Sequence, residues 1–195
     1  ADLERLLAQA REDLATPGLV LLTGQLGTYD AATAATWLPV QEAQRQVAEA
    51  EPLSGLIPAV DLPRADGIHF SVAGYVTLGR RFATAARRLV FGQGVDERTD
   101  LVTCEAGAGA ATIECTWERA VTGGEAALFT VTDDAGAVAV TAVAASGPTV
   151  TLTLARALST NPVLSYGFST APARAWVRDA SGTPVPCFDR VAVTP

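Results

Sequence analysis

Lysine and methionine are absent from this 195-residue sequence, and histidine occurs once, at position 69. All 14 basic residues are therefore arginine, and 21 acids leave a net charge of −7. That charge divides as −2 over residues 1–94 (8 Arg, 10 acids) and −5 over residues 95–195 (6 Arg, 11 acids). Neither half has the basic field that a phosphate backbone requires, which excludes nucleic acid as a partner. One histidine and no Cys-x-x-Cys pair are too few for a zinc site. No apolar run approaches the ~18 residues of a spanning helix, so no membrane segment is expected. Without Met the sequence does not open on its own start codon, and no signal peptide is recognisable at its start. A processed product, or part of something longer, is the expectation. The excess of Ala and Arg without Lys points to a GC-rich bacterial coding sequence.

What is present favours a packed core. Apolar residues make up 49% and charged residues 18%, so disorder is not expected. There are three cysteines. Cys104 and Cys115 bracket a stretch able to fold back as a hairpin. They read either as a cross-strand disulfide or as two buried thiols, and Cys187 reads as a packed thiol.

Along the chain, Leu3, Leu6, Leu7, Ala10 and Leu14 recur at helical spacing and predict an amphipathic helix over residues 2–15, ended by Thr16-Pro17-Gly18. Leu19 to Thr23 is a short apolar run suited to a strand buried on both faces. Trp37, Val40, Ala43, Val47 and Ala50 predict a second helix, with Pro39 in its first turn. Gly55 to Asp61 reads as a second strand. Strand, helix and strand form one βαβ unit, so the two strands should be parallel. Ser71 is a good N-cap for a third helix, and Phe70 can staple against Tyr75. Val72, Val76, Phe82, Ala83, Ala86 and Val90 are expected on its buried side. Phe91 to Gly94 ends it.

Beyond residue 94 helical spacing disappears. Turn signals arrive every eight to twelve residues, and between them lie alternating Val- and Thr-rich runs such as Leu128 to Thr132 and Val150 to Leu154. Seven or eight short antiparallel strands of this kind read as a β-sandwich. The expectation is thus an α/β part with parallel strands over residues 1–94 and an all-β sandwich over residues 95–195.

The chemistry concentrates in Asp66-Gly67-Ile68-His69. Ligands bind beyond the carboxyl ends of strands in open α/β sheets, and the loops that leave the two predicted strands share that rim. An acid three positions before a lone histidine can fix the imidazole's tautomer while it acts as general base. Gln25, in the loop leaving the first strand, is the candidate substrate contact. The bland alternative is a structural histidine. A metal role would need two further ligands. No serine lies in a strained strand-to-helix turn: Ser71 is used as a cap, Ser54 precedes a strand, and the others fall in the sandwich region.

The run from Trp37-Leu-Pro-Val-Gln-Glu-Ala-Gln44, through Asp61-Leu-Pro63, to Asp66-Gly-Ile-His-Phe-Ser-Val-Ala-Gly-Tyr-Val-Thr-Leu-Gly-Arg-Arg-Phe-Ala83 resembles the closing part of an SGNH (GDSL-type) hydrolase. More narrowly it is similar to the sialate O-acetylesterase and acetylxylan esterase group of carbohydrate esterases. Val163 to Phe168, Asp179 to Pro184 and Pro186 to Phe188 resemble the β-rich tail of such proteins. The resemblance implies that residues 1–94 are the C-terminal part of an SGNH α/β domain and that Asp66 and His69 are catalytic. It implies an acetylated carbohydrate as substrate and no cofactor; that substrate, with the possible Cys104–Cys115 disulfide, suggests a secreted or periplasmic location. The family's nucleophilic Ser and oxyanion blocks precede the matched part and have no counterpart in residues 1–36. They are therefore expected from a missing N-terminal half, on the same or a separate chain. The rival expectation is a carbohydrate-binding or structural sandwich beside an inactive α/β remnant, with Trp117, Trp176 and Tyr166 as stacking platforms or as core.

Overall fold

A computed structural model describes residues 2–94 and 99–195. The expected boundary between residues 94 and 95 falls at the edge of residues 95–98, which lie outside those described.

The first part runs α1 (Asp2–Asp13), β1 (Leu21–Gly24), α2 (Ala34–Ala50), β2 (Ser54–Ile57) and α3 (Val72–Leu89). β1 and β2 are parallel, with Leu21 opposite Ser54 and Gly24 opposite Ile57, as a βαβ unit requires. α2 starts three residues earlier than the spacing predicts. Thr33 caps it: its backbone N–H donates to Thr36 Oγ1 at 3.4 Å, while Trp37 N donates to Thr33 O at 3.0 Å. Pro39 consequently sits in the second turn, inside the helix.

α3 departs from expectation on the matter of burial. Its inner contacts run through Phe82 against Gly24, and through Ala85 and Leu89 against Gly55. Val72 is 82% exposed, Tyr75 54%, Val76 48% and Val90 54%, and Ala83 is exposed as well. The stripe assigned to the buried side is thus largely uncovered. The reason is width: two strands at about 4.8 Å spacing are narrower than a helix with its side chains. Among the described residues the sheet in this part has two strands.

The second part contains eight strands among the described residues: β3 (Leu101–Ala106), β4 (Thr112–Trp117), β5 (Phe129–Asp133), β6 (Gly136–Val138), β7 (Val140–Ser146), β8 (Thr149–Leu154), β9 (Val163–Tyr166) and β10 (Phe188–Ala192). They form two antiparallel four-stranded sheets, ordered β10-β9-β5-β6 and β3-β4-β8-β7. Alternation determines which side of each strand is buried. Ile113, Cys115 and Trp117 of β4, with Val150, Leu152 and Leu154 of β8, face Phe129, Val131, Leu164, Tyr166 and Phe188 of the other sheet in one core. Full burial of each large side chain contributes about 1.5–3 kcal/mol. Gly147 turns the β7–β8 hairpin at φ 59°, a left-handed conformation that glycine adopts without a Cβ penalty. The architecture is a small α/β unit followed by a β-sandwich.

The two parts share their packing. Val60, three residues past the end of β2, is buried in the sandwich core. Asp61 accepts both guanidinium nitrogens of Arg81 at 2.8 and 2.9 Å and Arg178 Nη1 at 2.8 Å. Burial pushes the Asp61 carboxyl up, but the Arg81 and Arg178 bonds outweigh it and hold the group below its ordinary value. Glu42 of α2, buried yet likewise held down by Arg45, accepts the Asp189 N–H of β10 at 3.1 Å.

Candidate active site

The Asp66–His69 loop leaves the carboxyl end of β2 and is closed on itself before α3 begins. Ala65 N donates to His69 O at 2.9 Å, and Ser71 N donates to Pro63 O at 2.9 Å. Ser71 Oγ then caps α3 by accepting Gly74 N at 3.2 Å. Phe70 and Tyr75 meet edge to face, with ring centroids 5.5 Å apart, which makes the expected staple. Gly74 permits the close approach here, because a Cβ would lie 2.5 Å from Pro63 O.

Within this loop His69 Nδ1 is 2.8 Å from Asp66 Oδ2. The other carboxylate oxygen, Oδ1, accepts the backbone N–H groups of Ile68 at 2.8 Å and His69 at 2.7 Å. These backbone donors, with the imidazole contact behind them, hold the Asp66 carboxyl well below the usual carboxylate range. It is therefore an anion throughout the physiological pH range and a fixed acceptor for an Nδ1–H. That arrangement leaves Nε2 as the imidazole atom free to exchange a proton. Both side chains face solvent, at 71% for His69 and 55% for Asp66.

Residues not singled out by sequence position hold this loop in place. Arg64 donates through Nη1 to Gly67 O and through Nη2 to Asp30 Oδ1, and also through Nη2 to Thr170 O at 2.9 Å. Asp30 N donates to Gly67 O at 3.0 Å. The loops after β1 and β2 thus meet on one rim, as parallel strands dictate, and the sandwich reaches that rim through Thr170. Separations of 34 and 106 residues make the Arg64 contacts invisible to motif reading. The one local signal was an arginine two positions before Asp66.

Gln25 is not beside the pair. It is buried, and its amide is spent on main-chain groups: Nε2 donates to Gln41 O at 3.1 Å and Cys187 O at 2.8 Å, and Oε1 accepts Cys187 N at 2.9 Å. The expectation of a substrate contact is corrected, because every polar atom of the side chain already has a partner inside the protein. Gln41 and Gln44 of α2 continue the pattern, with Gln41 Nε2 on Leu26 O and Gln44 Nε2 on Gly24 O. Three glutamines brace the first rim loop.

Among the described residues no serine hydroxyl hydrogen-bonds His69. Ser54 Oγ donates to Ala48 O and Glu51 O. Nor does any group of three or more His, Cys, Asp or Glu side chains that could hold a metal ion occur among the described residues. Trp117, Trp176 and Tyr166 are all buried, which leaves them no face for sugar stacking. The geometry on this rim is thus an imidazole oriented by a carboxylate, with no serine hydroxyl bonded to it among the described residues.

Residues 1–88 match the family described as carbohydrate esterase, sialic acid-specific acetylesterase. Among solved structures, XAC1771, a carbohydrate acetylesterase from Xanthomonas citri, is similar with a TM-score of 0.77 at 21% identity, over 92% of this chain and 42% of that one. The chain thus spans less than half the length of that protein. Two structures of the bacterial S-layer protein SbsC align at TM-scores of 0.38 and 0.39 and 14% identity, over 64% of this chain and 28% and 16% of theirs. Scores that low carry no argument about fold. No curated protein matches the sequence. Residues 1–88 carry the sequence pattern of the sialic acid-specific acetylesterase family of carbohydrate esterases, and nearly the whole chain shares its fold with a carbohydrate acetylesterase.

Proposed function

We propose that this chain supplies the base half of a carbohydrate O-acetylesterase site of the SGNH type. The observation that carries the reading is the His69 Nδ1 to Asp66 Oδ2 contact at 2.8 Å, in a loop braced on the carboxyl rim of parallel strands. In this reading a Ser hydroxyl, supplied by polypeptide that extends the sheet beyond β1, attacks the acetyl carbonyl. His69 Nε2 takes the hydroxyl proton and returns it to the departing sugar oxygen, and Asp66 stabilises the imidazolium that forms. Water, activated by the same imidazole, then releases acetate. No step calls for a cofactor.

Two features support a partner segment. Among the described residues β1 has a strand on one side only, and the flank of α3 bearing Val72, Tyr75, Val76 and Val90 is apolar and exposed. A further α/β layer against that edge and flank would bury both. The partner is thus the N-terminal half of the same α/β domain, on this or another polypeptide, and the substrate is an acetylated carbohydrate.

The test is acetate release from p-nitrophenyl acetate and from acetylated xylan, first by this chain and then with the upstream polypeptide present. Activity is expected only in the second case. It should fall by about 10³-fold or more in His69→Ala. Full activity of that variant in the complete protein would exclude the mechanism.

A further inference from the structure

We propose that Cys104 and Cys115 form a disulfide across the β3–β4 hairpin of the sandwich. The inference is independent of the esterase reading and rests on register. The two residues lie directly opposite each other in the antiparallel pair, with Thr103 facing Thr116 and Glu105 facing Glu114 on either side. Both are thiols here, and their Sγ atoms are 2.8 Å apart.

Hydrogen bonding shows which kind of cross-strand pair this is. Cys104 O accepts Thr194 N at 3.0 Å, on the side of β3 away from β4, and Gly107 N donates to Thr112 O at 3.0 Å. On β4, Leu154 N donates to Ala111 O and Trp117 N donates to Pro148 O, both at 2.9 Å. Residues 111, 113, 115 and 117 therefore turn their main-chain groups towards β8, while residues 112, 114 and 116 turn theirs towards β3. Cys104 and Cys115 form a non-hydrogen-bonded pair, the closer of the two kinds, with Cα atoms about 4.5 Å apart. That spacing lies inside the disulfide range of about 4.4–6.8 Å. The S–S bond of about 2.05 Å needs an approach of less than ~1 Å from the present contact.

Cys187 is excluded from this chemistry by position. It lies just before β10 in the facing sheet, fully buried, with Sγ turned to Gly167 O at 3.6 Å.

The reaction is an exchange with a small disulfide oxidant such as glutathione disulfide. One cysteine thiolate attacks the oxidant and releases one of its thiols. The second cysteine thiolate then attacks the mixed disulfide and releases the other. Two S–H protons are lost, the cysteine pair is oxidised by two electrons, and the oxidant is reduced to two thiols. Because both cysteines end inside the core, the exchange belongs to folding, before the second sheet closes over the hairpin. β3 is an edge strand, and its outer side receives Thr194. The bond therefore fastens the strand that anchors the C-terminal segment. It would persist only in oxidising surroundings.

The test is thiol counting on the full chain after refolding with reduced and oxidised glutathione. Alkylation in denaturant without reductant should label Cys187 alone, and peptide mapping should recover residues 104 and 115 linked. After reduction all three cysteines should label. The thermal midpoint should fall on reduction in the parent and in Cys187→Ser, but not in Cys104→Ser/Cys115→Ser. Three labelled cysteines in the oxidatively refolded protein, or a disulfide that includes Cys187, would overturn the proposal. The count needs no variant, so it stands even where the double variant fails to fold.

Discussion

The carboxamide of Gln25 pairs with both main-chain groups of Cys187 as a neighbouring strand would: Oε1 accepts Cys187 N at 2.9 Å and Nε2 donates to Cys187 O at 2.8 Å. The residues are 162 positions apart, and the contact joins the end of β1 to the segment that enters β10. Its physical weight comes from burial. A main-chain N–H and C=O in a dry interior each lose their water, and one side chain satisfies both.

Truncation of this side chain should therefore act on stability. Gln25→Ala strands the Cys187 N–H and C=O and removes a bond to Gln41 O, at an expected cost of about 2–4 kcal/mol. Urea unfolding measures it as a lower midpoint at unchanged slope. Gln44→Ala, at a part-buried site, should cost less than Gln25→Ala. Equal effects would mean that the Cys187 contact has no special weight.

The Asp66–His69 pair predicts the opposite separation. Asp66→Asn keeps an oxygen for the Ile68 and His69 N–H groups but places an amide donor or a weaker acceptor opposite Nδ1. In the complete protein, ester hydrolysis should fall by about 10³–10⁴-fold, while the unfolding midpoint stays nearly unchanged because both side chains are exposed. A loss of stability as large as the loss of activity would point to a structural loop instead.

Asp61 predicts acid sensitivity. Its folded-state pKa lies below its ordinary value, so the unfolded chain takes up the proton first as pH falls. The stabilisation is complete above the unfolded pKa of about 4 and is lost as pH drops through the lower folded value. Asp61→Asn should lower stability at neutral pH by about 2–4 kcal/mol, because Arg81 and Arg178 lose their charged partner. It should also flatten the fall in stability below pH ~4. Thermal midpoints from pH 7 down to pH 3 would show both effects.

The uncovered flank of α3 predicts association behaviour. Val72→Ser with Val76→Ser should make the 195-residue chain more soluble and less self-associating by light scattering, with little change in its unfolding midpoint, since neither residue is buried here. The same pair of changes should weaken activity recovered on addition of the upstream polypeptide. Unchanged recovery would show that this flank is not where the proposed further layer docks.

Much of this was legible locally. The βαβ unit followed from an apolar run, a helical stripe and a second short run, because strand and helix periods differ. The sandwich followed from two-residue alternation between turn residues. Asp66, His69, the Ser71 cap and the Phe70 staple were readable because their partners lie within five positions, where helix and turn geometry dictate contact. Composition and spacing thus determined the layer types, the strand direction and the acid–imidazole pair. Only the tertiary structure decided what Gln25 does, which face of α3 is covered, and how Arg64, Asp30 and Thr170 clamp the loop. Those outcomes depend on which distant main-chain groups remain to be satisfied, and on how many strands lie beneath a helix. Local periodicity holds no record of either, because burial and hydrogen-bond closure belong to the whole packed chain.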